Sequence, residues 1–564
     1  MMYQTERDKE TDRQTGYPSI DKPWLKYYSS GSMDDNNVSK TVYQYVVDNN
    51  KDNADDTALI FKGKKISFSS MLSNTAKVGN SMMRYGLTAG DRIMVAATGI
   101  PETIYILLAC SKLGICAEMI NFSLDSRAIK NQILSSDAKL VFCLDRIHEK
   151  IKTVIKEKEI DTVVIPAVQT LSPIIRLVDG LSHRIDKTDG RTISYADFLT
   201  SSTSFDETIV SDEGQPYIVV YSSGTTGVPK GIVHTNRSYT SMAEEYRLCE
   251  YPFERGDIFL NQIPFFIASA LSFLTLAPIM LGVSVMLEPK YEIDVWLKDI
   301  KKYKPKVIFG TQSFWNSAVD SEETIVKDLS FATIAISGGE PISIESENKV
   351  NEWLESKKFG SKLTVGYGMS ELNGTITTSS AKYHNVGATG IPLPDVVVSV
   401  FDTYSGQEMK YGELGEIMVQ SPCAMKEYSD IAKTVQYWWK DSKGRLWAKT
   451  GDVGMVDENG EVYVYGRATD SKTESGKTIY YFEIENKVRI FDWVKKCKVV
   501  ETEKGILRIN IVTSKNTPDN AHKELMTEIQ KSFGFCNDKI QIKVWKEFPL
   551  NANGKVDIFR LKKD

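Results

Sequence analysis

The stretch of the chain best suited to chemistry is YSSGTTGVPKG, which runs from Tyr221 to Gly231. It holds three glycines, four serine or threonine hydroxyls and one lysine, Lys230. Glycines let backbone N–H groups crowd around an anion, hydroxyls add donors, and the ammonium adds a positive charge. The apolar, β-branched run at 216–221 predicts a short strand before it. This glycine-rich loop (Tyr221–Gly231) therefore has the chemistry of a phosphate-binding loop.

The glycine-rich loop differs from the loop of the common nucleotide hydrolases. That loop requires G-x-x-x-x-G-K-[ST], whereas here Pro229 precedes the lysine and Gly231 follows it. A loop rich in glycine and hydroxyls can also be an ordinary flexible connection. The choice between a phosphate site and a plain loop depends on the rest of the chain.

A second motif, S-G-G-E-P-I, occupies residues 337–342 and follows a predicted strand at 333–336. Its glycine pair, Gly338 and Gly339, suits a flat ligand that lies against the backbone at the carboxyl end of a strand. An ordinary turn between a strand and a helix has the same composition, so both interpretations stay open for this motif alone.

A third motif, V-G-Y-G-M-S-E, occupies residues 365–371. The glycines on either side of Tyr367 leave room for a base to stack on its ring. Ser370 offers a hydroxyl toward phosphate, and Glu371 offers a hard carboxylate for Mg²⁺. The alternative is an exposed tight turn.

Three more candidate motifs follow toward the C-terminus. Asp452 ends a T-G-D sequence, and Arg467 ends Y-G-R. In the segment 548–556, FPLNANGKV, a glycine precedes Lys555 and lets the loop reach into a cleft. An ammonium there would offset charge that builds on phosphorus oxygens. Taken singly, each of these is also typical of a turn.

In this order the motifs resemble those of the adenylate-forming superfamily, which includes acyl-CoA synthetases, adenylation domains and firefly-type luciferases. The resemblance covers the chain from about residue 40 to the end. It implies Lys555, Glu371 and Lys230 as catalytic residues, with Lys555 near the α-phosphate and Glu371 as the Mg²⁺ ligand. Asp452 would accept both ribose hydroxyls, and Arg467 would also bind the ribose. The implied nucleotide-binding residues are Ser222, Ser223, Gly224, Thr225, Thr226, Gly227, Lys230, Gly338, Gly339, Glu340, Gly366, Tyr367, Gly368, Ser370, Asp452 and Arg467.

The chain departs from the family pattern at three positions. Ser370 stands where threonine is usual, and it keeps the hydroxyl. Thr469 occupies the position of the charged hinge residue, which puts the hinge movement in doubt. Phe482 lies in the neighbourhood of an expected proline.

The arrangement of apolar runs predicts an α/β protein. Strands alternate with helices over about 40–215 and again over 216–390, which indicates two doubly wound α/β subdomains. Short strands with glycine turns at 391–466 suggest a small β-barrel. Residues 467–564 read as a compact α+β domain, which the resemblance identifies as a mobile lid. The charged segment 1–39 is expected to be disordered or extended, and 40–466 forms the AMP-binding region.

The amino-acid composition narrows the classes of molecule that the protein could bind. The chain of 564 residues carries 69 basic and 74 acidic side chains, a net charge of −5, which gives no case for nucleic acid or anionic membranes. Seven cysteines without C-x-x-C spacing fit a reducing cytoplasm. Residues 261–287 carry no charge, but their prolines and glycine favour a buried helix and a core strand over a membrane span. We therefore expect a soluble protein without a transmembrane segment.

The resemblance implies a two-step reaction that uses ATP, Mg²⁺ and coenzyme A. A carboxylate forms an acyl-adenylate with release of pyrophosphate, and a thiol then displaces AMP to give a thioester, with domain rotation between the steps. The alternatives are an enzyme that loads an acyl carrier protein, a luciferase-like oxygenase, and a nucleotide binder without turnover.

One apolar segment indicates which class of acid could be the substrate. In the segment 264–268, PFFIA, Phe266 stands where enzymes for α-amino acids carry an aspartate, so a buried ammonium would be unpaired. A medium-chain or aromatic acid is the expectation, although these side chains suit a plain core equally well. The candidate acyl-pocket residues are Phe265, Phe266, Ile267, Phe314 and Trp315.

Overall fold

The computed structural model divides into two compact units. The first unit comprises Met1–Val398, Val419–Ala448 and Val456–Val462, and the second comprises Ser399–Met418, Lys449–Met455 and Tyr463–Asp564. The structure describes residues 14–29, 31–171, 190–205, 211–222, 230–321, 326–379, 382–402, 404–474, 477–514, 517–518, 520–534, 539–549 and 556–563.

An eight-stranded sheet, sheet 1, carries the two strands that flank the glycine-rich loop. Its strands lie in the order Glu427–Tyr428, Lys230–Thr235, Pro216–Ser222, Cys116–Met119, Arg92–Ala96, Leu140–Leu144, Asp161–Ile165 and Thr192–Ser194. From Pro216–Ser222 onward the neighbours pair in parallel, and the first three strands pair antiparallel. The helices between these strands include Phe68–Tyr85, Pro101–Leu113, Ser126–Ser135, Asp145–Lys158, Tyr195–Phe198 and Asn236–Leu248.

A nine-stranded sheet, sheet 2, makes up the rest of the first unit's framework. Its strands lie in the order Ile391–Pro392, Thr377–Thr378, Thr364–Tyr367, Ile334–Ser337, Val307–Gly310, Ile258–Asn261, Ser284–Leu287, Thr57–Phe61 and Lys64–Ser67. The central strands are parallel, with helices Ile293–Tyr303, Gln312–Asp320 and Ile344–Ser356 between them. The predicted doubly wound α/β class is confirmed.

The two sheets exchange strands across the boundary predicted at residue 216. The early strand Thr57–Phe61 pairs in parallel with Ser284–Leu287 in sheet 2. The later strand Pro216–Ser222 pairs with Cys116–Met119 in sheet 1. Strand pairing is non-local, so the alternation of apolar runs predicted the strands but not the sheet to which each belongs.

The helices of sheet 2 bury their apolar faces in a cluster of tryptophans. In helix Ile293–Tyr303 the buried residues are Trp296, Leu297 and Ile300, which share one face at helical spacing. The ring centroids of Trp296 and Trp315 lie 5.0 Å apart in an edge-to-face contact. This cluster fixes the face of sheet 2 on which helix Gln312–Asp320 lies.

The uncharged stretch at 261–287 is a buried helical segment and a strand, as predicted. Helix Ala268–Leu271 continues through a π-helical turn at Ser272–Leu276 and the short helix Ala277–Met280. The π turn frees the Ala270 carbonyl, which accepts from Asn261 Nδ2 at 3.1 Å and from Thr275 Oγ1 at 2.6 Å. No helix among the described residues is long and apolar enough to cross a membrane.

The N-terminal segment is more ordered than predicted for 1–39. Residues 1–13 lie outside the described residues, but beyond them the chain forms helix Pro18–Asp21, a 3-10 helix at Pro23–Tyr27 and helix Asp35–Val38. Trp24 is fully buried. The buried Glu244 carboxylate accepts hydrogen bonds from Asp34 N and Asn37 Nδ2, both at 3.0 Å. A large indole and a buried carboxylate thus anchor a segment whose high charge suggested disorder.

In the second unit, the C-terminal part is an α+β fold as predicted. Strands Val494–Glu501 and Leu507–Thr513 form an antiparallel hairpin, and Ile540–Trp545 pairs in parallel with the latter. Helices Tyr481–Arg489 and Ala521–Phe533 pack on this sheet through one apolar core. The other elements are strands Ser471–Glu474 and Lys477–Tyr480 and helix Ile558–Lys562.

The region predicted as a small β-barrel, 391–466, forms most of its strands into one five-stranded sheet. Its members are Val397–Phe401, Gly415–Gln420, Trp438–Lys440, Leu446–Val456 and Val462–Arg467. The long strand Leu446–Val456 carries the T-G-D motif and pairs with Val462–Arg467, which ends at the Y-G-R motif. These two motifs therefore lie on neighbouring strands.

A buried histidine between two carboxylates ties three parts of the first unit together. His384 Nε2 lies 2.8 Å from Glu347 Oε1, and its Nδ1 lies 3.0 Å from Glu461 Oε1. Both glutamates are fully buried. Burial lowers the pKa of His384, but the hydrogen bonds to Glu347 and Glu461 outweigh this and raise the pKa to about 9.

We predict that His384→Gln destabilises the protein in a pH-dependent way. The folded-state pKa lies above the unfolded value, so the stabilisation is complete below about pH 6.5 and is lost as the pH rises through about 9. The shift corresponds to roughly 3 kcal/mol at low pH. Thermal unfolding of both proteins at several pH values should show a Tm difference that is large near pH 6 and small above pH 9.

The exposed residue His522 provides the matched control, because His522→Gln changes the same residue type outside any such pair. Its Tm difference from the unsubstituted protein should be small at every pH. A Tm difference for His384→Gln that does not vary with pH would contradict the role assigned to the Glu347–His384–Glu461 triad.

Candidate active site

The glycine-rich loop joins two adjacent antiparallel strands of sheet 1. Ser222 at the end of one strand is paired with Lys230 at the start of the next. The two ends of the loop are therefore held next to each other by the sheet. Its predicted binding residues Ser223, Gly224, Thr225, Thr226 and Gly227 lie outside the described residues.

Tyr221 anchors the entry to the loop. Its hydroxyl donates to Glu118 Oε2 at 3.0 Å, and the other oxygen of Glu118 accepts from Arg92 Nη1 at 2.8 Å. Burial raises the pKa of Tyr221, so the hydroxyl keeps its proton and donates to the nearly buried carboxylate. Tyr221, the strand residue before Ser222, is thus fixed to the neighbouring strand by a charged network.

Gly231 marks the exit of the loop and requires the absence of a side chain. A Cβ at this position would lie 2.4 Å from Ser429 Oγ and 3.2 Å from the Tyr221 ring. The backbone N–H of Ser429 donates to Gly231 O at 2.7 Å. The glycine therefore lets the segment around residue 428 approach the loop closely.

Glu371 lies in a 3-10 turn, Ser370–Leu372, just after a strand of sheet 2. Its Oε1 accepts a hydrogen bond from the Tyr428 hydroxyl at 2.7 Å. The Lys230 ammonium lies 5.7 Å from the centroid of the same tyrosine ring. Two residues that the sequence separates widely, Lys230 and Glu371, are therefore brought to one aromatic side chain.

His234 links the exit strand of the loop to the turn that carries Glu371. The ring is fully buried, and burial lowers its pKa to about 4, so it is neutral. The neutral ring donates a hydrogen bond from Nε2 to Ser370 O at 2.8 Å. The backbone N–H of Met425 donates to Glu371 O at 2.7 Å and holds the turn from its other side.

The surroundings of Glu371 suit a magnesium ion that also binds phosphate. Among the described residues, no group of three or more acids, histidines or cysteines could hold a metal alone. Glu371 is 9 % exposed, and no described residue donates to its Oε2. A lone carboxylate oxygen matches the way Mg²⁺ binds, through one or two carboxylates and the oxygens of a phosphate substrate.

The two glycine motifs of sheet 2 lie side by side at the ends of adjacent strands. A Cβ on Gly338 would lie 3.8 Å from Gly366 O, and Gly339 has a φ of +80°. A Cβ on Gly368 would overlap Gly374 O. Tyr367 is partly exposed at this edge. The backbone is thus open to a flat ligand where parallel strands end.

Glu340 has a structural role that the motif did not indicate. Its Oε2 accepts hydrogen bonds from Ser313 N at 2.9 Å and Ser313 Oγ at 2.5 Å. The N-cap residue of helix Gln312–Asp320, Thr311, makes no side-chain cap of its own. Glu340 therefore caps this helix, where a carboxylate also suits the helix dipole.

The structure distributes the five candidate acyl-pocket residues over different environments. Phe265 is buried, and a Cβ on Gly99 would lie 3.2 Å from its ring. Phe266 packs edge-on against Phe122, with ring centroids 5.3 Å apart. Ile267 is 40 % exposed. These residues follow the strand Ile258–Asn261 at its carboxyl end.

Phe314 and Trp315 belong to the tryptophan cluster. Trp315 is fully buried and its indole N–H donates to Ile336 O at 2.9 Å. Phe314 stacks on Trp296 with centroids 5.7 Å apart. Because helix Gln312–Asp320 turns both rings into the core cluster of sheet 2, the plain-core interpretation describes their surroundings.

The second unit brings together the two predicted ribose-binding residues. Asp452 Oδ1 lies 3.1 Å from Arg467 Nη1, and Asp452 is 8 % exposed. Its backbone N–H donates to Thr450 Oγ1 at 3.0 Å. Gly451, which precedes the carboxylate within the strand, has a φ of +69° that favours glycine, and its carbonyl accepts from Ala468 N.

Two predicted positions of the second unit remain, Thr469 and Lys555. Thr469 is exposed and follows the Asp452–Arg467 pair. Lys555 lies outside the described residues. The segments beside it are anchored, because Phe548 and Val556 pack in one small apolar cluster and Asp557 N donates to Pro549 O at 2.8 Å.

Sequence reasoning missed Tyr428, His234 and Glu118. The first two contact motif residues only through tertiary pairing, and Glu118 lies within an apolar strand. The signal that could have indicated Glu118 is a single acid in the otherwise apolar run ICAEMI at 115–120, where an unpaired carboxylate would be costly. No comparable signal marks Tyr428.

Comparison with known proteins gives a consistent result. The AMP-binding enzyme family matches residues 46–429. A long-chain-fatty-acid–CoA ligase of Bacillus subtilis is 26% identical over 477 residues, which is 82% of this chain and 83% of that protein. A 4-coumarate–CoA ligase of Arabidopsis thaliana is 27% identical over 436 residues, 75% of this chain and 72% of that protein.

Solved structures show the same fold. ATP-bound MatB from Rhodopseudomonas palustris superposes with a TM-score of 0.75 at 22% identity and covers 93% of this chain and 98% of that one. The O-succinylbenzoate coenzyme A synthetase of Bacillus subtilis, in complex with ATP and magnesium ion, gives a TM-score of 0.70 at 21% identity over 92% and 99%. The predicted resemblance to the adenylate-forming superfamily is confirmed, and the chain belongs to the AMP-binding enzyme family.

Proposed function

We propose that this enzyme activates a carboxylic acid with ATP and transfers the acyl group to coenzyme A. The observation that carries the proposal is the convergence of Lys230 and Glu371 on Tyr428 at the exit of the glycine-rich loop. A cation for phosphate oxygens and a carboxylate for Mg²⁺ are the groups that an ATP-cleaving site needs. Relatives named as a long-chain-fatty-acid–CoA ligase, a 4-coumarate–CoA ligase and an acetyl-coenzyme A synthetase support the same reaction class.

The proposed chemistry gives the acyl group AMP as its leaving group, in place of the poor leaving group of a free carboxylate, which is oxide. A carboxylate oxygen attacks the α-phosphorus of ATP, the bond from that phosphorus to the bridging oxygen of pyrophosphate breaks, and an acyl-adenylate forms. The thiolate sulfur of coenzyme A then attacks the acyl carbon, and AMP leaves with the bonding electron pair. Catalysis in both steps consists of positioning and of charge stabilisation.

The first unit would hold the triphosphate. Backbone N–H groups and hydroxyls of the glycine-rich loop, with Lys230, would bind the β- and γ-phosphates that leave as pyrophosphate. The adjacent glycines at 338–339 and 366–368 would accept the base, with Tyr367 beside it. Mg²⁺ would neutralise phosphate charge when bound at Glu371.

Asp452 and Arg467 would bind the ribose, and Lys555 would act on the α-phosphate. Asp452 is a short acid whose backbone N–H is bonded to Thr450 Oγ1, and it could accept both ribose hydroxyls while Arg467 stays beside it. Lys555 would stabilise charge on the α-phosphate oxygens during attack. Rotation of the lid about Thr469 would then separate the two half-reactions.

The acid itself is proposed to be a medium-chain or aromatic carboxylic acid. Phe265, Phe266 and Ile267 offer apolar surface at the carboxyl end of a sheet 2 strand, and no acid stands among them to pair an α-ammonium. An amino acid substrate would therefore leave a buried charge unpaired. Pyrophosphate release should be measured across a panel of acids, first with coenzyme A and then with a holo acyl carrier protein.

In that panel, apolar acids should release pyrophosphate and form a thioester with coenzyme A. Thioester formation only on the carrier protein would replace the proposed acceptor, and oxygen uptake would indicate oxygenase chemistry. Absence of release with every acid would refute the ligase proposal.

We predict that Lys555→Ala lowers acyl-adenylate formation by at least about 100-fold, because the α-phosphate loses its charge partner. Thioester formation from supplied acyl-adenylate should change little. The two half-reactions are measured separately by pyrophosphate exchange and by thioester yield. Lys546→Ala, at an exposed lysine of the same segment, should leave both unchanged. Equal loss of both half-reactions would contradict the assigned role.

We also predict that Asp452→Asn removes discrimination between ATP and its 2′-deoxy or 3′-deoxy analogues. Each hydroxyl that donates to a carboxylate contributes about 1.5–3 kcal/mol, so the unsubstituted enzyme should prefer ATP by roughly 10- to 100-fold. The comparison requires kcat/KM for all three nucleotides. Asp492→Asn, at an exposed acid of the second unit, should keep the preference. A retained preference in Asp452→Asn would place the ribose elsewhere.

A further inference from the structure

Tyr428 lies where the exit strand of the glycine-rich loop meets the turn that carries Glu371. The short strand Glu427–Tyr428 pairs antiparallel with Lys230–Thr235, and Tyr428 is opposite Ile232. The side chain is 5 % exposed. It is thus a buried residue on the edge of sheet 1, held there by main-chain pairing.

The two ends of this side chain contact opposite charges. The hydroxyl donates to Glu371 Oε1 at 2.7 Å, and the ring face lies 5.7 Å from the Lys230 ammonium. A phenol O–H donates and a carboxylate oxygen accepts, so the Tyr428 hydroxyl is the donor in this pair. The cation lies within the range of an attractive contact with an aromatic ring.

This arrangement keeps Lys230 and Glu371 available for a ligand. No ion pair joins these two described side chains, and the tyrosine gives each of them a neutral partner instead. A direct ion pair would have to be broken before the lysine could bind phosphate and the acid could bind metal. The neutral partner fixes both groups without cancelling their charges.

The tyrosine itself is rigidly supported. Its backbone N–H donates to Thr434 Oγ1 at 2.8 Å, and the Tyr437 ring packs edge-on at 5.7 Å. Tyr437 is also buried, but its hydroxyl has no hydrogen-bond partner among the described residues. Two neighbouring buried tyrosines therefore differ in the partners of their hydroxyls, since only the Tyr428 hydroxyl contacts the candidate metal ligand.

We propose that Tyr428 is a positioning residue that orients the Glu371 carboxylate for the Mg²⁺ of Mg·ATP and the Lys230 ammonium for the departing phosphates. The inference rests on the proposed function, because it assigns Glu371 to metal and Lys230 to phosphate. Hydrogen bonds that orient a metal-binding carboxylate typically change metal affinity by 10- to 100-fold when they are removed.

The test compares Tyr428→Phe with the matched variant Tyr437→Phe. Each removes one hydroxyl from a buried ring, but only the first removes a hydrogen bond to Glu371. Binding of Mn²⁺ to the enzyme with α,β-methylene-ATP is measured by the electron paramagnetic resonance signal of free Mn²⁺. This reads out the metal site without turnover. Glu371→Gln is the reference for loss of the metal ligand.

We expect Tyr428→Phe to weaken Mn²⁺ binding about tenfold or more, while Tyr437→Phe stays within about twofold of the unsubstituted enzyme. In pyrophosphate exchange, high Mg²⁺ should restore much of the rate of Tyr428→Phe. The Tm should change little in either variant. Tyr428→Leu, which also removes the ring beside Lys230, should in addition raise the KM for ATP.

Each outcome separates the inference from the proposed function. Unchanged Mn²⁺ affinity in Tyr428→Phe, or equal weakening in both tyrosine variants, would overturn the positioning role alone. Failure of Tyr428→Leu to fold would not affect this decision, because Tyr428→Phe keeps the ring. Absence of Mn²⁺–nucleotide binding in the unsubstituted enzyme would overturn the proposed function and the inference with it.

Discussion

The hydrogen bond from His234 to Ser370 is the contact on which the arrangement of the first unit's candidate site depends. It joins the strand that leaves the glycine-rich loop in sheet 1 to the turn that follows a strand of sheet 2. The imidazole is buried and neutral, so the link needs no counter-charge. Together with the hydrogen bonds that Tyr428 and Met425 make to Glu371, this bridge sets the separation between the cation on one sheet and the carboxylate on the other, since each belongs to a different hydrogen-bonded framework.

The site is built from charges that are held by neutral or local partners. Glu371 is held by a phenol, and Tyr221 is anchored through the Arg92–Glu118 pair. A buried charge is costly when unpaired, and a charge already neutralised by an ion pair binds ligand poorly. The hydrogen-bonded phenol lies between these extremes, because it fixes geometry and leaves the formal charge intact.

The alternation of apolar runs predicted the class of fold, because the periodicity of each run is a local property of the sequence. The need for glycine is not always local: a Cβ on Gly368 would meet Gly374 O nearby, but a Cβ on Gly231 would meet Ser429 Oγ from a distant part of the chain. The contribution of Tyr428 could not be predicted, because it arises from pairing with a strand far earlier in the chain. The surroundings of Trp315 could not be predicted either. An apolar residue after a strand suits a pocket or a core equally, and its surroundings are known only once the packing of its helix is known.

The exchange of strands between the two sheets has a consequence for how the chain can fold. During synthesis, Thr57–Phe61 is made long before Ser284–Leu287, the strand with which it pairs in parallel. An exposed strand edge is open to wrong partners during that interval. The sheets therefore form late and through contacts between residues far apart in the sequence. Slow folding, and a need to protect the nascent chain, follow from this topology rather than from any single residue.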